Sequence, residues 1–329
     1  MSEERRPTPV VAEEGPDAGV PWHYGDPVRE QRALERGVGR VDLSHRGVLR
    51  VTGPDRLTWL HSLTTQHLLG LQPGQGTTTL VLSPQGHLEH ALYGVDDGTA
   101  FWAHTEPGAA AAAAAWLDSM RFMMRVEVED LSDSVAVVWT ADPDAAEPLA
   151  LVTRRAPDSL GGAELLVPRD RLADALGDGP RAGTWAYEAR RVAAGVPRPG
   201  LDTDARTIPN EAGLIGVAVH LDKGCYRGQE TVARVHTLGR PPRRLVLLLL
   251  DGTEERLPAP GSPLTLDGRA VGFVGSSARH HELGSIALGL VKRNVEVDAT
   301  LLADGVPAAQ ETLVDPEVGL HVRPRLGVR

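Results

Sequence analysis

The 329-residue sequence holds one cysteine, and the residues around it are of the types that activate a thiol. They read Lys223-Gly224-Cys225-Tyr226-Arg227-Gly228-Gln229-Glu230. Only the thiolate is a nucleophile, and nearby cations or a helix N-terminus raise its population. The residues after Gly228 predict a helix through Val235, with Glu230 and Arg234 spaced for an i,i+4 ion pair. Cys225 then sits just ahead of a helix N-terminus, between Lys223 and Arg227, and a depressed thiol pKa is expected. Gly224 and Gly228 permit tight turns and close approach of a ligand. The competing reading makes the lone thiol a small buried hydrophobe. Tyr226 either stacks or donates near the thiol, or packs as a core aromatic. Of the 34 basic residues only Lys223 and Lys292 are lysines, so position 223 asks for a compact ammonium.

Other chemistries find less support. His220 and His236 flank the segment, but one thiol with two distant histidines matches no zinc spacing, and no metal is expected. On a strand the side chains of His280 and His281 would point apart. A Cys–His hydrolase lacks any histidine fixed to Cys225 by spacing. There is no Walker A loop and no Gly-x-Gly-x-x-Gly fingerprint. A single cysteine allows no disulfide within the chain and suits a reducing cytoplasm.

The elements that must hold the segment can be read in outline. Trp22 to Val38 is a lead-in with a short helix. Strands are expected at Val41 to Ser44 and Val48 to Val51. Gly53-Pro54-Asp55 starts a helix over Arg56 to Thr64, with Asp55 as its cap. Gly76 to Leu82 and Leu88 to Val95 form a hairpin about Ser83-Pro84-Gln85-Gly86. An alanine-rich helix over Gly108 to Met120 and an alternating strand over Arg125 to Glu129 follow. Strands at Val135 to Trp139 and Glu164 to Val167 precede helices at Arg169 to Leu176 and Thr184 to Ala194. Pro197 to Asn210 is loop. Arg240-Pro241-Pro242 marks a domain boundary. Beyond it, strands at Leu245 to Leu250, Leu264 to Leu266, Ala270 to Ser276, Ser285 to Val291 and Thr300 to Ala303 suggest a small antiparallel barrel. The division is a disordered tail over 1–20, an α+β core of two subdomains over 21–239 and a barrel over 240–329.

The net charge is −10, with −12 in residues 1–180, +3 in 181–240 and −1 in 241–329. That distribution argues against a nucleic-acid binder and suits a local pocket for an anionic small molecule. No apolar run approaches the roughly 20 residues of a membrane span, and the N-terminus lacks a signal peptide's apolar region.

The octapeptide at 223–230 resembles a signature of the YgfZ-type folate-binding proteins, relatives of the aminomethyltransferase of the glycine cleavage system. Asp42-Leu43-Ser44-His45-Arg46-Gly47, Val51-Thr52-Gly53-Pro54-Asp55 and Pro209-Asn210-Glu211-Ala212-Gly213-Leu214 are similar to further segments of that superfamily. The resemblance implies a ring of three subdomains, the last a β-barrel, around a channel for tetrahydrofolate. It implies Cys225, Lys223 and Tyr226 as the reactive group. Glu211 is then the carboxylate for the pterin ring, with Glu89, Arg191, Arg227, Gln229 and Glu230 as further folate contacts. Arg190 and Arg234 add positive charge. Two positions depart from the transferase: Glu89 stands where it has an aspartate, and Ala193 where it has a pterin-contacting glutamate.

Three functions follow. The first is a folate-binding accessory factor for assembly or repair of iron–sulfur clusters in client enzymes. The second is a folate-dependent aminomethyl- or methyltransferase, so the residues leave open whether the chain is an enzyme. The third is an adaptor that kept the fold and lost the ligand.

Overall fold

The computed structural model describes residues 8–142, 144 and 148–321. Strands β1 (Val10–Val11) and β2 (Pro21–His23) pair with each other. Helix α1 (Pro27–Glu35) begins where Asp26 accepts from Arg29 N and Pro27 fills the first turn. Then come β3 (Arg40–Asp42), β4 (Gly47–Thr52), α2 (Arg56–Leu63), β5 (Gly76–Leu82), β6 (Leu88–Asp96), β7 (Ala100–Thr105), α3 (Ala110–Ser119) and β8 (Glu127–Asp130). The chain continues through β9 (Val135–Thr140), β10 (Val152–Arg154), β11 (Ala163–Pro168), α4 (Leu172–Leu176), β12 (Arg181–Ala182) and α5 (Thr184–Ala193). A long irregular stretch leads to α6 (Gln229–Leu238).

Two five-stranded sheets form, in the orders β5-β6-β7-β4-β8 and β10-β11-β9-β3-β12. The chain passes between them at once, since β3 and β4 are neighbours in sequence but lie in different sheets. Strand β4 serves both sides: Val48 joins the core shared by the sheets, and Leu49 and Val51 pack under α2 and α3.

After Gly239 come β13 (Arg243–Leu250), β14 (Pro263–Leu266), β15 (Arg269–His280), β16 (Gly284–Lys292), β17 (Leu301–Ala303) and β18 (Val306–Thr312), which close into a barrel. The leucine run of β13 alternates between two buried faces. Val246, Leu248 and Leu250 fill the barrel, and Leu245 and Leu247 pack outward against Ala189 and Val192 of α5. Both faces are covered, so the run is apolar throughout. Helix α5 also sends Ala186 and Tyr187 into the core between the sheets, and thereby joins all three bodies.

Several expectations change. Met1–Pro7 lie outside the described residues, but the rest of the expected tail is placed: Val10–Val11 pairs in a sheet, and Asp17 bonds His45 and Arg198. Asp55 does not cap α2; its carboxylate accepts from the backbone and side chain of Arg125. That contact holds Arg125 outside the expected strand. Strand β7 is an addition, since its six residues are all buried and show no alternation, and β18 is the strand that closes the barrel. His280 and His281 do not diverge. His281 lies past the end of β15, and the rings approach to 4.8 Å beside Glu35. The trio is the one metal-like group among the described residues. His280 Nδ1 accepts from the backbone N–H groups of Glu282 and Leu283, which puts the proton on Nε2, toward Glu35, and leaves no free lone pair for a metal.

Candidate functional site

The segment 223–230 is pinned at three points. Lys223, 6% exposed, turns its ammonium inward to the carbonyls of His61 and Thr64 at the C-terminal end of α2. It therefore caps a helix from a distance, where a cation also meets the negative end of the dipole. Burial pushes its pKa down to about 8. Its ammonium lies 5.0 Å from the centroid of the Tyr226 ring. Tyr226 is buried against Leu80, Leu82, Leu88 and Val232, and burial pushes its phenol up to about 12. Arg227, the second anchor, reaches Glu89 of β6 at 2.8 Å.

Gly228 is the third anchor, with φ +80° at the start of α6. A Cβ there would meet Ser83 O at 2.4 Å and Gly86 Cα at 2.8 Å. The hairpin turn of β5 and β6 thus crosses the octapeptide glycine to glycine, a contact no other residue type permits.

Between these anchors Cys225 is exposed. It lies four residues ahead of α6, and its flanking cations are bonded to α2 and β6. Gln229 donates to Lys223 O at 3.4 Å, and Glu230 and Arg234 are exposed. The expected Glu230–Arg234 ion pair is absent among the described contacts, so the helix gives Cys225 a fixed mount and little else.

Replacing Lys223 by methionine should lower stability by about 2–3 kcal/mol, since two buried carbonyls lose a charged donor. Urea unfolding at pH 7 checks this; a loss under about 0.5 kcal/mol would contradict the capping role.

Two expected folate contacts and the added cation Arg190 have bonds within the protein. Both oxygens of buried Glu211 accept from Arg243, at 2.9 Å each, and Oε2 also accepts from Ile208 N. Buried Arg191 is held by Glu188 at 2.7 Å and by Asp202 at 3.0 Å. Arg190 donates to Leu160 O. Glu211 thereby ties the loop after α5 to the barrel, Arg191 ties that loop to α5, and Arg190 ties α5 to the turn before β11. Glu89, exposed beside Arg227, does not line the central cavity.

That cavity, of about 260 Å³, opens where the three bodies meet. Leu80, Ala91 and Tyr93 come from the first sheet, Ala194 to Pro197 from the loop after α5, and Leu245, Leu313 and Val314 from the barrel side. Ala193 instead packs against the outer face of the barrel. The one charged residue on the cavity wall is Asp158. Its carboxylate accepts from Thr78 and from buried Arg154 and keeps further lone pairs. Residue patterns gave no reason to select Asp158. The available signal was the Pro157-Asp158 turn, which brings a carboxylate back over Thr78 of β5.

A buried ionic cluster joins the segment before β2, the end of β7 and α5. Arg198 bonds Asp17 at 2.9 Å, Glu106 at 2.7 Å and Glu188 at 3.2 Å. Burial raises the Asp17 pKa, but His45 and Arg198 outweigh it and hold the carboxyl well below the usual range. Glu106 is likewise raised by burial and then brought below its ordinary value by Arg46 and Arg198.

Residues 16–163 match the GCVT N-terminal domain family, and residues 243–313 match the CAF17 C-terminal beta-barrel domain family. A putative chloroplastic transferase of Arabidopsis thaliana is 27% identical over 79% of this chain and 67% of its own length. An aminomethyltransferase of Thermotoga maritima is 27% identical over 84% of this chain and 85% of its own. The crystal structure of the glycine cleavage system aminomethyltransferase T from Bartonella henselae superposes with a TM-score of 0.76 at 20% identity. It covers 93% of this chain and 94% of that one. The fold is GcvT-like, α+β with a closed C-terminal barrel. No helix among the described residues is long and apolar enough to cross a membrane.

Proposed function

We propose that this aminomethyltransferase-like chain is a tetrahydrofolate-binding accessory protein of the YgfZ type, serving assembly or repair of iron–sulfur clusters in client enzymes of the cytoplasm. One observation carries the reading: the exposed Cys225 stands on a loop anchored once to α2 and twice to the β5–β6 hairpin of the sheet that walls the central cavity. Tyr226 packs on Leu80, and Leu80 also lines the cavity, so a filled cavity and the thiol share one support. A single thiolate does not hold a cluster, which usually takes four. In this reading the cluster is a client's cargo, and Cys225 meets it or a sulfur or one-carbon species from outside.

The cavity fits the ring end of tetrahydrofolate. Its walls are apolar, with one oriented carboxylate, the usual pattern for a flat hydrogen-bonding ligand. Asp158 takes the ring's N–H donors, in place of the carboxylate missing at Ala193 and of Glu211, which Arg243 occupies. At about 260 Å³ the cavity takes the pterin head, and the anionic tail leaves through its mouth. Bound folate supplies a one-carbon carrier or a structural plug. The protein's residues orient the ring and exclude water.

Aminomethyl transfer, the activity in the names of several relatives, is the less favoured reading. It needs a carboxylate at the folate amine, and Glu89 is paired with Arg227 away from the cavity.

Calorimetric titration with tetrahydrofolate on wild type and Cys225→Ala tests the proposal, alongside restoration of an iron–sulfur enzyme's activity in cells lacking this protein. Equal binding by both proteins, with restoration by wild type alone, is expected. Absence of binding at high micromolar ligand would reject the folate role. Full restoration by the alanine variant would reject the thiol's role. Release of ammonia and methylene-tetrahydrofolate from an aminomethylated carrier would move the assignment to the transferase.

A further inference from the structure

Helix α5 places Trp185 and Glu188 three residues apart on one face. Trp22, from β2, lies against Trp185 with ring centroids 4.7 Å apart and planes 29° from parallel. Trp22 remains 43% exposed, although an indole gains by burial. These rings form one side of a second cleft, of about 570 Å³, which shares no lining residue with the central cavity.

The barrel builds the opposite side. The pairing of β15 with β16 shifts register between Val274 and Ser277, and the bulge leaves Gly275 and Ser276 outside the ladder. Bulges of this kind re-aim side chains and cluster beside binding sites. A Cβ at Gly275 would meet Asp202 Oδ1 at 2.2 Å, and Ser276 N donates to that oxygen at 2.6 Å. Ser276 thus lines the cleft at 6% exposure with a hydroxyl that has no hydrogen-bond partner. Its neighbour Ser277 is satisfied by Pro258 O at 2.7 Å. Buried hydroxyls are nearly always paired, so an orphan on a cavity wall calls for a partner from outside the chain.

Charge narrows the ligand class. Asp17 and Glu188, the acids of the lining, are already paired with Arg198, Arg191 and His45, and Arg279, its one cation, turns to Glu255 O, so the ring faces decide. A cation gains from the negative faces of the indoles, which an anion meets unfavourably.

We infer that the cleft between Trp22, Trp185 and Ser276 is a second ligand site, for a flat heteroaromatic cation carrying a hydrogen-bonding substituent. The ring lies on the indole pair, and the substituent bonds the Ser276 hydroxyl. The inference is independent of what fills the central cavity.

Calorimetry with 1-methylnicotinamide as the probe, on the full chain, tests it. Saturable binding is expected, with affinity about tenfold lower in Trp22→Ala and about fivefold lower in Ser276→Ala, the worth of one neutral hydrogen bond. Nicotinate, the flat anion of similar size, should bind at least tenfold more weakly. Saturating tetrahydrofolate should leave the titration unchanged. Trp22 is half-exposed, so thermal melting of Trp22→Ala should match wild type and separate a lost site from a lost fold. No saturable binding, unaltered affinity in Trp22→Ala, equal binding of nicotinate, or competition by tetrahydrofolate would each overturn the assignment.

Discussion

An Arg198→Met protein should lose about 3–5 kcal/mol of unfolding free energy at pH 7, the usual cost of removing one partner from a buried ionic cluster. The guanidinium is 2% exposed and meets carboxylates from three parts of the chain: Asp17 before β2, Glu106 after β7 and Glu188 on α5. Methionine fills much of the volume, so the loss reports stranded charge more than a cavity. Urea unfolding at constant m-value measures it. A loss under about 1 kcal/mol would mean that water reaches the carboxylates and replaces the guanidinium.

The same cluster sets the response to acid. The folded pKa values of Asp17 and Glu106 lie below their ordinary values of 3.8 and 4.5. The unfolded chain binds those protons first on acidification, so their contribution is fully present above about pH 5 and fades as pH falls through 4 and lower. The gap between wild type and Arg198→Met should therefore narrow with acidification over that window.

Asp158→Asn should weaken tetrahydrofolate binding by about 10- to 100-fold, corresponding to roughly 1.5–3 kcal/mol for a hydrogen bond to a charged acceptor. Asparagine keeps its one oxygen for Arg154 and turns its NH2 to the Thr78 hydroxyl, which can accept, and Arg154 retains Glu164 at 3.0 Å. The fold should hold, and a melting temperature within a few degrees of wild type checks that point. The central cavity has one charged wall residue, so unchanged affinity would remove the only carboxylate available for the ring.

Local pattern made much of the architecture legible. Turn residues at Ser83 to Gly86 marked the β5–β6 hairpin, and the Pro-Pro step at 241–242 marked the entry to the barrel. Alternation failed where both faces are covered, as in β7, because burial on two sides erases the period. Cap chemistry failed at Asp55, where Arg125, distant in sequence, outcompeted the helix.

The octapeptide at 223–230 divides the two kinds of information most clearly. Its sequence alone singled out the thiol, the two glycines and an unusual lysine. Only the tertiary structure decided that Lys223 serves α2, 162 and 159 residues away, and that Arg227 serves β6. It likewise gave Glu211 to Arg243 and brought Asp158 to the cavity. A sequence displays each charge but not the counter-charge that burial will select for it. In a low-dielectric interior that selection is decisive, because an unpaired ion costs more than the packing around it supplies. Charges whose partners come from distant segments acquire their roles only when the three bodies close on one another.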